Sequence, residues 1–418
     1  MSNHFKSVSW LKSSNIYEVN LRQYTPEGTF RAFQQHIPRL KEMGVQVIWL
    51  MPITPISKQV QQGSLGSYYA CSSYTEINPE YGGFDDFKNL VETVHQLDMK
   101  IIIDWVANHT GWGHHWALEH PDWYRKDAAG NFTEENGWED VIDLNYEVPE
   151  MRQAMIAAMQ FWVREYQIDG FRCDMAHLVP LDFWEEARAA CETIRQLFWL
   201  AECEDVNYHN VFDITYAWEW MHVTEKIMKG SAGIHDLYEV LHKYSQYPKD
   251  SYKLFFTANH DENSWNGTEY EKYGAAAKAL AVFTQTWTGI PLIYSGQELP
   301  NYKRLKFFDK DEIEWTVPVQ LQEFYQTLSN LRQSPAITEG ETFILPAGSD
   351  KVISFIRRKG DTVVLVVLNI SGEEKIKLTF QHEWLKGSFT NIFSGIPHTL
   401  TGSVDFELMA GDYFVYRK

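Results

Sequence analysis

Cysteine is scarce in this chain: Cys71, Cys173, Cys191 and Cys203 are the four among 418 residues. So few in so long a sequence exclude the disulfide framework that staples small secreted domains. None of the four stands in CxxC spacing, which removes zinc-ribbon and thioredoxin-type chemistry, and they are read as reduced thiols. Positive charge is also short. Lys and Arg total 37 against 56 Asp and Glu, a net charge of −19. Nucleic acids and anionic membranes attract the opposite balance, so neither is expected as a partner, whereas a neutral ligand suits it. No apolar run approaches the ~20 residues of a membrane span. The N-terminal MSNHFKSVSWLKSSNIYEVN lacks the apolar stretch of a signal peptide, so a soluble, cytoplasmic protein is expected. No GxGxxG or P-loop follows the first predicted strand, which weakens an open nucleotide-binding sheet. Internal repeats and low-complexity tails are missing as well.

What the chain does have is alternation. At 418 residues it exceeds what one core usually serves, so a large domain with a smaller companion is expected. Strand-like apolar segments recur at 16–21, 45–52, 101–106, 170–174, 198–202, 211–216, 254–258 and 291–295. Near-continuous runs such as VQVIWLMP mark parallel strands buried on both faces. Helix-period stretches fall between them, at 30–43 with Pro38 as a kink, 84–97, 151–166, 181–197, 218–244, 273–286 and 319–331. Only a short link joins the fifth and sixth strands, so the fifth helix is missing or vestigial. Eight strands alternating with helices predict an α/β fold, a closed (β/α)8 TIM barrel. A stretch at about 111–146 is too long for an ordinary loop and reads as a short subdomain inserted after strand three. From about Pro335 the texture turns to strands, at 351–357, 362–370, 375–380 and 405–416. That predicts a C-terminal antiparallel β-sandwich over 335–418, beside a catalytic barrel over 1–334.

The chemistry gathers around IDGFRCDMAH at 168–177. A short extended segment there places Arg172 and Asp174 two apart, on one face of a strand. A guanidinium beside a carboxylate favours its ionised form. Alone, this pair serves equally well as a structural ion pair. Three more acids stand at the predicted C-terminal ends of barrel strands: Asp104, Glu202 and Asp261. That rim is where barrel enzymes place their sites. Four acids gathered there with Arg172, His109 and His260 repel one another, and such clusters are kept mainly for function.

These residues carry a resemblance. DWVANH at 104–109, GFRCDMAH at 170–177, the Glu of LAE at Glu202 and NHD at 259–261 resemble the four ordered signature regions of the α-amylase family, glycoside hydrolase family 13. DLN at 143–145 is a weaker fifth match, and GSYYACSSYTEINPEYGGFDDF from Gly66 resembles the family's loop after strand two. The resemblance implies a retaining glycosidase acting on α-1,4-linked glucose in malto-oligosaccharides or starch-like glucans. It implies Asp174 as nucleophile, Glu202 as general acid/base and Asp261 as the third acid. A retaining pair flanks one bond about 5 Å apart. The resemblance further implies that His109 and His260 bond sugar hydroxyls, that Tyr69 stacks under the sugar, and that Asp104 and Arg172 support them. Asp104 reads equally well as a structural acid. No cofactor is required for the chemistry. Asn108 and Asp143 match positions that ligate a structural calcium in many members. Oxygen donors suit Ca²⁺, yet two fall short of the six or more it takes, which leaves that metal open.

The sequence also departs from the family. Ser73 replaces the usual Asp before Tyr74, and His177-Leu178 replaces a frequent Lys-His, which puts leaving-group contacts in doubt. The insert resembles that of neopullulanase-like and cyclomaltodextrinase-like enzymes. Their extra N-terminal β-domain finds no room before a first strand near Ile16, so an open cleft and a monomer are expected. Most aromatics read as core; Trp112, Trp116 and Trp265 lie in rim loops as outer-subsite candidates, and His114 and His115 read as loop histidines. Rival readings are an α-glucosidase or glucosyltransferase of the same family, and a non-catalytic glucan-binding protein. Within the site, Glu204 competes with Glu202, two residues on along one face. Glu202→Gln is expected to lower turnover by about 10²–10⁴-fold, the scale of general acid–base catalysis, while Glu204→Gln retains it. Loss confined to Glu204→Gln would reverse the assignment.

Overall fold

The strand Ile16–Val19 is buried along its whole length, and seven more close a ring with it. A computed structural model describes residues 5–373 and 375–418. Residues 1–4, part of the stretch read above for a leader, lie outside the described residues. The other barrel strands are Val47–Leu50, Lys100–Trp105, Gly170–Cys173, Phe198–Ala201, Ile214–Tyr216, Tyr252–Phe255 and Ile290–Tyr294. Neighbours pair in parallel, and the eighth returns to the first with Tyr17 opposite Ile293. Every one of the eight predicted segments overlaps one of these strands. The fourth and fifth strands stop one residue short of the predicted ends, so Asp174 and Glu202 sit just past them, on the rim.

Helices cover the outside. Phe30–Gln34 and Ile37–Glu42 replace the single kinked helix expected at 30–43, with Pro38 in the first turn of the second, where its missing N–H costs nothing. The run at 218–244 divides into Trp218–Met228 and Ile234–Ser245; Gly230 leaves the first at φ +70°. A short 3₁₀ turn, Val206–Asn210, stands in place of the fifth helix. After the third strand, His109–Gly111 and Val141–Asp143 pair as an antiparallel ribbon that carries the helix His115–Glu119. Among the described residues no helix is long and apolar enough to cross a membrane.

Beyond the barrel, six antiparallel strands form one curled sheet, a half-barrel or sandwich. Its strands alternate faces with period two. Ile353, Phe355, Val364, Val366 and Leu368 join the barrel's core, whereas Val352, Ile356, Val363, Leu365 and Val367 enclose a second one. The strand expected at 405–416 is two, Pro397–Leu408 and Tyr413–Arg417. Gly411 turns between them at φ +66°, where a side chain would meet the Ala275 carbonyl. The strand Glu341–Ile344 was not foreseen, because its half-exposed residues give no apolar pattern.

Gly170 opens the strand that carries Arg172, and a Cβ there would lie 2.1 Å from the Phe198 carbonyl oxygen of the next strand. That contact is backbone and cannot swing aside. Gly170→Ala is therefore expected to cost about 1–3 kcal/mol or more, read as a lower denaturant midpoint.

Candidate active site

Arg172 is fully buried at the centre of the rim and meets three carboxylates. Its Nη1 lies 2.8 Å from Asp174 Oδ1 and 3.0 Å from Asp104 Oδ1; its Nη2 lies 2.8 Å from Glu202 Oε2. The third contact is too bent to be a hydrogen bond, so Nη2 is left without one. The guanidinium is packed over the rings of Trp49, Tyr216 and Tyr69 at 5.0, 5.6 and 5.9 Å. These aromatic faces favour a cation over them. Strand register does the rest: Arg172 lies directly opposite Asp104.

One positive charge cannot neutralise three buried carboxylates. Burial lifts all three acids, Asp104 up to about 7, and Asp174 and Glu202 upward, while Arg172 opposes the rise in each. Hydrogen bonds decide where the proton stays. Asp104 accepts from Arg172, from Trp49 Nε1 at 3.2 Å and from the Tyr69 hydroxyl at 3.1 Å. Asp174 accepts directly from Arg172 at 2.8 Å. Glu202 accepts the Met175 N–H at 2.9 Å, and of the three it has the weakest hold on a negative charge. Met175 reaches it by adopting φ +40°, a left-handed conformation uncommon for a non-glycine residue. Asp174 is thus held directly by the guanidinium, and Glu202 is the carboxyl with the fewest donors.

The other rim residues converge on the same place. A cleft of about 350 Å³ is lined by Tyr69, His109, Asp174, Glu202 and Asp261, with Trp138 and Trp265 at its sides. His109 is buried, and burial pulls it down to about 4, so it is neutral. Tyr74 donates to the carbonyls of Val106 and His109 and fixes that loop. Ser73, beside it, is buried with its hydroxyl on Thr75 N–H. His260 stacks on Tyr69 with ring centroids 5.3 Å apart, and its Nε2 lies 3.3 Å from Asp261 Oδ2. A second hollow of about 810 Å³ shares Met175 and Glu202 with the first and is also lined by His177, Trp218 and His222.

Glu204 faces this second hollow, and its carboxylate is taken up by the Glu219 N–H and the Tyr244 hydroxyl. It makes no contact with Arg172. Trp265 is half exposed in the cleft wall, packed against Phe307 at 5.3 Å. Trp116 is core, against Tyr74 and Trp123, and the Trp112 indole donates to Glu139 O. His114 is likewise core, whereas Cys203 lines the second hollow with its thiol pushed up to about 12 by burial. Sequence reasoning missed Glu18, Trp49, Trp138 and Tyr216. Glu18 left one signal, a lone acid inside the apolar run IYEV.

The donor set at Asn108 and Asp143 does not fit a calcium ion. Asp143 Oδ1 accepts the Asn108 amide at 3.3 Å and its Oδ2 the Glu135 N–H at 3.1 Å. Burial pushes Asp143 up to about 6. The pair ties together the two strands of the ribbon. Among the described residues, no group of three or more His, Cys, Asp or Glu is placed to hold a metal.

The family profile "Alpha amylase, catalytic domain" matches residues 9–126 and 119–336. The "Alpha-amylase MalA" of Haloarcula japonica is 27% identical over 88% of this chain, which spans 57% of that relative. A cyclomaltodextrinase of Geobacillus thermopakistaniensis is 24% identical over 83% of this chain and 63% of its own length. The crystal structure of a maltogenic α-amylase, AmyB from Thermotoga neapolitana, is 29% identical, with a TM-score of 0.90 over 97% of this chain and 99% of that one. Exhaustive chelation is expected to leave the melting midpoint of this protein unchanged, because hydrogen-bond donors already occupy the Asp143 oxygens. A fall in the midpoint that added Ca²⁺ reverses would show a metal site.

Proposed function

This chain belongs to the α-amylase family, and on that footing we propose that it is a retaining glycoside hydrolase cleaving α-1,4-glucosidic bonds in malto-oligosaccharides and starch-like glucans. The observation that carries the reading is the sharing of Arg172 between Asp174 and Glu202. Two carboxyl groups held at 2.8 Å by one guanidinium fit the short spacing of a retaining pair better than an inverting pair, which is spread to admit a water. Asp174, hydrogen-bonded and anionic, attacks the anomeric carbon. Glu202 gives its proton to the leaving oxygen as that bond breaks. The resulting glycosyl ester on Asp174 is then hydrolysed by a water that Glu202 deprotonates, which returns the proton to its starting place. Asp261, on the rim beside His260, adds negative charge where the sugar ring becomes positive.

The two hollows support an internal cleavage point. Asp174 and Asp261 lie in the first, and Glu202 borders both. A bond placed at Glu202 has sugar on either side of it. Tyr69 offers a ring to the sugar in the first hollow, with His109 as a hydrogen-bonding neighbour. The net charge of −19 suits a neutral substrate.

Maltoheptaose and soluble starch, with products resolved over time, test this. The wild type is expected to release mixed oligosaccharides early. Asp174→Asn is expected to lose on the order of 10⁴-fold or more, the scale for removing a nucleophile, with its fold retained by circular dichroism. Glucose alone from chain ends, or products longer than the substrate, would support a glucosidase or transferase. Binding without turnover by the intact protein would support the non-catalytic alternative.

A further inference from the structure

Glu18 is an acid with no part in the cleavage steps above. It sits on the first barrel strand, fully buried between apolar neighbours. A carboxylate taken out of water costs several kcal/mol unless it is paired. Its partner lies 242 residues away: Oε1 is 2.5 Å from His260 Nδ1. Oε2 meets no other hydrogen-bond partner; burial pushes Glu18 up, and His260 first, then the charge of Arg172, hold it down.

The protonation of His260 follows from what each ring nitrogen faces. Nδ1 faces the Glu18 carboxylate. Nε2 faces the Tyr69 hydroxyl at 2.7 Å, with Asp261 Oδ2 at 3.3 Å. The Tyr69 hydroxyl gives its one proton to Asp104 Oδ2, so towards His260 it accepts. Both ring nitrogens meet acceptors, and only the imidazolium carries a proton on each. Tyr69 stacked on one face and Trp49 edge-on at 6.1 Å hold the ring still.

We propose that Glu18 is a positioning residue of this site: it holds His260 doubly protonated, with Nε2–H given to the hydroxyl of Tyr69, the ring that lines the cleft. The inference rests on the glycosidase reading for its substrate, though not for the pair itself. A charge-assisted hydrogen bond to a hydroxyl oxygen is roughly twice as strong as a neutral one. Burial and the nearby Arg172 pull His260 down. Asp261 and Glu18 outweigh them and lift it to about 9. Asp104, Asp174 and Glu202 also feel the imidazolium, which lowers each of them. The raised value makes the sign plain: the imidazolium is present below its pKa and lost as pH rises through it.

Two measurements test the pair. In the wild type, imidazole ¹H–¹⁵N spectra at neutral pH, with the His260 signals identified by their loss in His260→Asn, are expected to show both ring N–H groups. A single N–H would overturn the proposal, whether or not any glucan is turned over. In Glu18→Gln, which keeps shape and loses charge, His260 is expected to titrate at least about one unit lower. Its kcat/KM is expected to fall about twofold or more further at pH 8 than at pH 5.5, across the range in which a shifted histidine loses its proton. An unchanged His260 titration, or a loss that is equal at every pH and follows the melting midpoint, would reduce Glu18 to a structural acid.

Discussion

One buried guanidinium organises this protein. Arg172 compensates Asp104 and Asp174 by direct hydrogen bonds and Glu202 by proximity alone. The inequality is the useful part. Equal hydrogen bonds to all three acids would leave each a similar base, whereas this arrangement differs between them, as the proposed division into nucleophile and proton donor requires. The same arrangement carries risk. Removing one member of a buried ion pair leaves a charge unpaired, at about 3–5 kcal/mol. The aromatic packing around the guanidinium and the hydrogen bonds to Asp104 are what make the cluster tolerable in the barrel interior.

Barrel closure turns this local arrangement into a site. The first strand pairs with the eighth, and so Glu18 meets His260, the second cation of the rim. Parallel register sets Asp104 beside Arg172. The hydrogen bonds from Glu18 through His260, Tyr69 and Asp104 to Arg172 form one connected chain across the rim. A shift of any strand by one residue would turn its side chains to the other face and break that chain. The fold and the electrostatics therefore specify each other.

Much of this was legible in the residue order. Most barrel strands announce themselves as short apolar runs, because burial on both faces leaves little room for polar residues. Asp174 and Glu202 announce themselves by following such a run. Boundaries were less legible. The helix expected at 218–244 breaks at Gly230, and the strand expected at 405–416 breaks at Gly411, where a positive φ ends a pattern that hydrophobicity alone continues. Trp116, Trp265 and Trp112 look alike as rim-loop tryptophans. Only packing makes the first core and the second a cleft wall.

By itself, then, the sequence determined the strand order, the α-amylase signature regions and the identity of the rim acids. These depend on periodicity and on residue types close together in the chain. The tertiary structure decided everything that depends on meeting across the barrel. It separated Glu202 from Glu204 by giving one to the Met175 N–H and the other to Tyr244 and the Glu219 N–H. It turned Asn108 and Asp143 into a hydrogen-bonded tie. It gave Glu18 a histidine partner that no spacing could foretell, because a contact between residues 242 apart exists only once the ring has closed.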